Sequence, residues 1–157
     1  MLLLKVAQAF DKAKLDYCLV GGMAVVLQGI ARGTVDIDLV INLSLNDFQL
    51  AEKTLSYLGF QSRLPIDAKM TFQFRQEYIE KRNLIAWSFY NPKSPIDVVD
   101  ILITENCKKI KTNLISVTGY KIKVASIPDL IRMKSKTGRP QDAEDVKMLK
   151  ELLKDEK

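Results

Sequence analysis

Val20-Gly21-Gly22, then thirteen residues, then Asp36-Ile37-Asp38-Leu39: this stretch decides how the chain is read. Residues 17–20 form a short β-prone run that stops at the two glycines. Residues 23–30 then have helical spacing, so strand, glycine turn and helix are predicted in succession, with Gly33 closing the helix. Residues 35–41 alternate. Val35, Ile37, Leu39 and Ile41 face one way, and Asp36, Asp38 and Val40 the other.

That pattern has chemical content. Glycines at a strand-to-helix turn let backbone N–H groups approach a phosphate, and a helix N-terminus adds partial positive charge there. Asp36 and Asp38, two apart on a strand, point to one face at roughly 7 Å spacing. Carboxylates so placed repel each other, and burial would raise their pKa. A divalent cation removes that penalty, and Mg²⁺ favours one or two carboxylates plus phosphate oxygens. A bare Asp-x-Asp also describes two solvated aspartates on an exposed strand. The glycine turn upstream and a carboxylate downstream weigh against that.

The downstream carboxylate is expected from Ile96-Asp97-Val98-Val99-Asp100-Ile101-Leu102. Asp97 and Asp100 differ by three and face opposite sides, so only one can join the pair. Asp100 lies deep in the apolar run, where an aspartate is costly to bury without a partner or a task. Asp97 follows Pro95 at the strand start, near solvent. Asp100 is therefore the candidate.

Outward from this core, residues 2–13 carry apolar side chains at helical spacing. Residues 46–58 read as a helix capped by Ser44 or Asn46 and closed by Gly59. Strands are predicted at residues 60–63, 71–74, 84–89 and 96–103, with a turn at 91–95 and a hairpin around Gly119. Trp87, Phe89 and Phe74 alternate with polar residues and are expected in the core or lining a groove. Ser126 with Asp129 caps a helix to about residue 136. Gly138 breaks it, and Pro140 opens a last helix to about residue 154. The mixture predicts one α+β (α/β) domain over residues 1–157.

Composition narrows the chemistry. The chain has no histidine, which removes every mechanism with His as base, nucleophile or ligand. Two cysteines far apart in sequence argue against a zinc site and predict free thiols in a cytoplasmic protein. No apolar run approaches the roughly 20 residues of a membrane span. Catalysis must use carboxylates, Lys, Arg or hydroxyls with a hard metal. The net charge of +5 suits an anionic ligand such as a nucleotide or RNA, and equally suits ordinary solubility.

The hydrophobic-Gly-Gly turn, the Asp-x-Asp strand and the lone later aspartate resemble the polymerase-β nucleotidyltransferase superfamily. Arg32-Gly33-Thr34-Val35-Asp36-Ile37-Asp38-Leu39, with Lys134 through Arg139, Asp142 and Asp145, is similar to its abortive-infection type, which includes toxins of toxin–antitoxin pairs. The resemblance runs from about residue 17 to 149. It implies a polymerase-β-like fold, a mixed sheet flanked by helices with two more at the C-terminal end. It implies transfer of a nucleoside monophosphate from a nucleoside triphosphate with Mg²⁺ or Mn²⁺. Asp36 and Asp38 would hold the metal carrying the triphosphate. Asp100 would share a second metal and deprotonate the acceptor hydroxyl, and Gly21 and Gly22 would cradle the phosphates. Arg32 and Thr34 are placed to contact the triphosphate, though Arg32 equally fits a helix C-terminal charge. Lys134 is placed to reach the phosphates, or to be solvated. Arg139, Asp142 and Asp145 suit an ion-pair cluster at the start of the last helix. The acceptor is an RNA end, a protein hydroxyl or a small molecule. Larger relatives carry an extra helical domain, so a homodimer or partner protein would supply acceptor surface. The competing reading is a nucleotide- or partner-binding module without turnover.

Overall fold

The computed structural model describes residues 1–155. A seven-stranded mixed sheet runs through its centre in the order β3-β4-β5-β2-β1-β7-β6. Helix α1 (Leu2–Lys12) buries Leu3, Val6, Ala7 and Phe10, the i, i+3, i+4, i+7 stripe of an amphipathic helix. Strand β1 (Tyr17–Val20) is wholly buried and leads directly into α2 (Gly21–Leu27). The helix thus begins at the glycines, earlier than the predicted residue 23. It closes at Gly29, with φ of +118°, and not at Gly33. Gly33 lies in the following loop with open space around it.

Strand β2 (Ile37–Ile41) pairs antiparallel with β1 and parallel with β5. It is shorter than predicted, and this leaves Asp36 in the loop just before the strand. Helix α3 (Leu45–Tyr57) is capped by Ser44, whose hydroxyl accepts from the Asp47 N–H at 3.1 Å. Strand β3 (Gln61–Ser62) is a two-residue edge.

Residues 71–74 are not the strand their alternation predicts. They lie across α4 (Ala68–Gln73) and the start of α5 (Arg75–Arg82). The Thr-Phe-Gln-Phe alternation mimics a strand, but Asp67 accepts from the Met70 N–H at 2.8 Å and nucleates a helix. Packing then fixes it, with the Phe72 ring edge-on to Phe48 of α3 at 5.5 Å. Helix α5 has no counterpart in the sequence reading because it is charged and buries nothing. Phe74 is exposed, outside the core expected for it.

Strands β4 (Ala86–Asn91) and β5 (Ser94–Leu102) form a hairpin. Trp87 and Phe89 of β4 point inward, with Trp87 stacked on Phe48. After a 3-10 turn at Cys107–Lys109, β6 (Thr112–Val117) and β7 (Tyr120–Ala125) form the second hairpin around Thr118 and Gly119. Helix α6 (Ile127–Ser135) has the Ser126 cap, its hydroxyl accepting from the Asp129 N–H, and α7 (Pro140–Asp155) packs against it. Helices α1, α3 and α4 cover one face of the sheet. On the other face α2 lies over β1, β2 and β7, with α6 packed beside it. Cys18 is buried, Cys107 half-buried, and both are free thiols. No helix among the described residues is long and apolar enough to cross a membrane.

Candidate active site

The sheet register assembles the site. Val20, Asp38 and Asp100 are neighbours in one row across β1, β2 and β5. Adjacent strands lie about 4.8 Å apart, so the two carboxylates face each other across one strand spacing. Their chain neighbours Ile37, Leu39, Val99 and Ile101 are buried on the opposite face and fix the pleat. Asp100, the candidate chosen for its place deep in the apolar run, lies in this row, whereas the half-buried Asp97, three residues earlier on β5, faces the other side of the sheet.

Gly21 closes the near side of the row. Its φ is +70°, and a Cβ there would overlap Asp38 Oδ2 and approach the Asp38 Cβ and Cγ to 2.9 Å. The absence of a side chain is what lets the Asp38 carboxylate lie on the turn. Gly22 serves a second approach. A Cβ there would lie 2.9 Å from Thr34 Oγ1 and 3.2 Å from the Arg32 guanidinium. Arg32 and Thr34 thus lean over the diglycine turn.

The electrostatics are those of crowded acids. Burial pushes the Asp38 carboxyl up to about 7, with Asp100 and then Asp36 adding to the rise, and Lys134 and Arg139 opposing it. Asp100 Oδ1 is buried and has no hydrogen-bond partner among the described residues. A buried carboxylate oxygen without a partner, beside the half-buried Asp38 carboxylate, is a donor set that suits a hard cation. Asp36 is exposed and contributes charge at longer range. Among the described residues no three acidic or thiol side chains are close enough, as placed, to share an ion. The fit to Mg²⁺ is therefore that of two carboxylates with room for phosphate oxygens and water.

Behind the row lies a buried ion-pair cluster. Asp145 binds Arg32 at 2.5 Å and Lys134 at 3.0 Å, and Gln141 donates to it at 3.0 Å. Asp142 binds Lys134 at 3.2 Å and Arg139 at 2.8 Å, and accepts a short hydrogen bond from Thr137. Burial raises the Asp142 carboxyl, but hydrogen bonds from Thr137, Arg139 and Lys134 outweigh it and hold it below the usual range. Lys134, Asp142 and Asp145 are 8%, 2% and 1% exposed. Lys134 is thus no solvated lysine, and Arg32 is no helix-end charge: Arg32 ties the loop before β2 to α7. Arg32 Nε remains buried without a partner among the described residues.

Sequence reasoning missed Ser88. It sits on β4 directly opposite Asp100 and extends the row to Val20–Asp38–Asp100–Ser88. The signal was present, since Trp87 and Phe89 flank it and face inward.

No protein-family model matches the chain, and no curated protein matches its sequence. Solved structures do match. The lincosamide antibiotic adenylyltransferase LnuA, lincomycin-bound, is 17% identical with a TM-score of 0.64, covering 96% of this chain and 95% of its own. The antibiotic-resistance factor ANT(2'')-Ia, in complex with adenylyl-2''-tobramycin, is 14% identical with a TM-score of 0.61, covering 94% and 85%. A Thermotoga maritima protein assigned to the nucleotidyltransferases is 17% identical with a TM-score of 0.61, covering 98% and 91%. The fold is thus the nucleotidyltransferase fold expected from the sequence. None of these three is named as an abortive-infection protein, so that narrower likeness rests on the sequence motifs.

Proposed function

We propose that this chain transfers a nucleoside monophosphate from a nucleoside triphosphate to an acceptor hydroxyl, with Asp36, Asp38 and Asp100 as its metal-binding and catalytic carboxylates. The observation that carries this reading is the register pairing of Asp38 with Asp100 beside Gly21, with one Asp100 oxygen buried and unpartnered. Fold likeness alone is a weak guide to function, so the weight rests on this site.

Asp38 and Asp100, with Asp36 at the rim, would hold Mg²⁺ or Mn²⁺. Bound there, the ion would neutralise charge developing on the transferring phosphoryl group and the leaving pyrophosphate. The chain's own residues do the rest. Gly21 and Gly22 admit the phosphates close to the backbone. Thr34 and Arg32 cover the turn, and Arg32 is oriented by Asp145. Lys134 lies deeper and contributes fixed positive charge felt at Asp38. Asp100 accepts the proton of the acceptor hydroxyl. The freed oxygen bonds to the α-phosphorus, the bond to the β-phosphate oxygen breaks, and pyrophosphate leaves with the electron pair. The adenylylated tobramycin and bound lincomycin named for two neighbours support a hydroxyl acceptor.

The test is incubation with α-labelled nucleoside triphosphates and Mg²⁺, alongside calorimetric binding of the triphosphate with Mn²⁺. Wild type should bind the pair and release pyrophosphate. Asp38→Asn should lose the activity by about 10²-fold or more, the scale expected when a transition-state electrostatic element is removed. Transfer at the wild-type rate by Asp38→Asn would overturn the mechanism.

A further inference from the structure

The row of side chains does not stop at Asp100. On the same face, Ser88 stands opposite Asp100, and Tyr90 stands opposite Val98 one pleat away. Tyr90 is held in place: Gln61 Nε2 donates to its hydroxyl at 2.6 Å, and the Arg63 guanidinium lies over its ring at 5.9 Å. The Arg63 N–H donates to the Ser88 carbonyl at 2.9 Å, so Arg63 continues the Asp38–Asp100–Ser88 row by one strand spacing. Ile96, on this face of β5, is 72% exposed. The covering helix α2 lies over β1, β2 and β7 and leaves this half of the sheet as a shelf.

The chemistry of the shelf is specific. Asp100 is the one carboxylate among these side chains, and the proposed reaction uses it. The one cation is Arg63, which makes no ion pair among the described residues. Between them lie a hydroxyl, an aromatic ring and an apolar strip. Among these side chains a polycationic acceptor would find no counter-charge beyond Asp100. An acceptor with a hydroxyl, a planar ring and a phosphate would match each element: hydroxyl to Ser88 and Asp100, ring to Val98 and Ile96, phosphate to Arg63.

We propose that the β3–β4–β5 shelf is the acceptor subsite, that it takes a ribose hydroxyl beside a phosphate, and that Ser88 positions that hydroxyl against Asp100. This rests on the nucleotidyl-transfer reading above. The same chemistry is offered by a free nucleotide and by an RNA end. Ser88 acts through hydrogen bonding to the acceptor oxygen and leaves the proton to Asp100.

Two probes test it on the full chain: a ribonucleoside 5′-monophosphate, and a six-nucleotide single-stranded RNA with a free 3′ hydroxyl. Binding of each is read by competition against a fluorescent copy of the RNA. Triphosphate binding with Mn²⁺ is measured in parallel. Arg63→Glu should weaken the bound probe at least tenfold and leave triphosphate–Mn²⁺ binding within twofold. Ser88→Ala should leave both affinities within threefold. It should lower kcat for transfer to the probe by at least tenfold without raising KM. Ser88→Thr should restore transfer. Tight binding by the monophosphate alone identifies a free nucleotide, and tighter binding by the oligomer an RNA end. If wild type binds triphosphate and Mn²⁺ but neither probe, or Arg63→Glu and Ser88→Ala change nothing, the shelf is not the acceptor subsite. Acceptance of tobramycin in place of both probes would equally exclude it. If wild type fails to bind triphosphate with Mn²⁺, the nucleotidyl-transfer reading itself fails.

Discussion

Replacing Asp38 by asparagine should make the metal-free protein more stable, not less. The unfolded chain holds this carboxyl near its ordinary value of 3.8, whereas burial, Asp100 and Asp36 push it up to about 7 in the fold. Between those values the folded protein binds the proton more tightly than the unfolded chain. Stability therefore falls as pH rises through that window and stays lowered above it. A gap of about three pKa units, at ~1.4 kcal/mol each, sets a ceiling of about 4 kcal/mol. Water at the mouth of the site and the high effective dielectric of real protein interiors reduce this to about 2 kcal/mol. Asn keeps the shape of Asp and carries no charge, so Asp38→Asn should gain about 2 kcal/mol at pH 8 in a chelator. For a domain of this size that is roughly 4–8 °C in Tm. The advantage should shrink through pH 6 and become small near pH 4, where wild-type Asp38 is protonated in the fold and partly protonated in the unfolded chain. Urea melts of the two proteins at pH 8, 6 and 4 measure it directly. Added Mg²⁺ should raise wild type and leave the variant where it was. A variant less stable than wild type at pH 8, or a difference that does not change with pH, would refute the reasoning.

Gly21→Ala should cost about 1–3 kcal/mol from its positive φ alone, and more from the overlap with Asp38. Urea melts should report that loss, and calorimetry should show Mn²⁺ binding abolished. Asp145→Ala leaves Arg32 and Lys134 short of a buried counter-charge and should destabilise by roughly 3–5 kcal/mol, read from thermal unfolding at pH 7. Asp142 contributes stability that is fully present above the unfolded carboxylate pKa, about 3.9, and is lost as pH falls through its lowered folded value. Asp142→Asn should therefore be less stable than wild type at neutral pH and converge with it in acid, and the acid limbs of paired denaturation curves should show this.

The glycine turn and the Asp38–Asp100 row were legible because they are built from local rules. Two glycines at a strand end, strand parity and one expensive aspartate in an apolar run are each visible without tertiary knowledge. Parity put Asp97 and Asp100 on opposite faces, and the apolar run around Asp100 chose between them. What stayed hidden depends on distant partners. Lys134 looks like any lysine between Arg132 and Lys136, and only the docking of α7 places Asp142 and Asp145 around it. Arg32 suits two roles equally until its partner 113 residues away is known. Ser88 is marked only by the inward-facing Trp87 and Phe89 on either side, and its meaning is its position opposite Asp100. Residues 71–74 mislead because four residues cannot separate a period of two from one of 3.6 when the capping aspartate lies outside the window.

The Arg32–Asp145 contact also orders events during synthesis. A growing chain displays the glycine turn and all three site aspartates once residue 100 has been made. The anchor for Arg32 arrives 45 residues later, a delay of roughly 2–9 s at ordinary elongation rates. Over that interval the nascent chain holds the acids without the buried counter-charge that orients Arg32. The latch that fixes the loop before β2 is thus among the last parts of the chain to be translated.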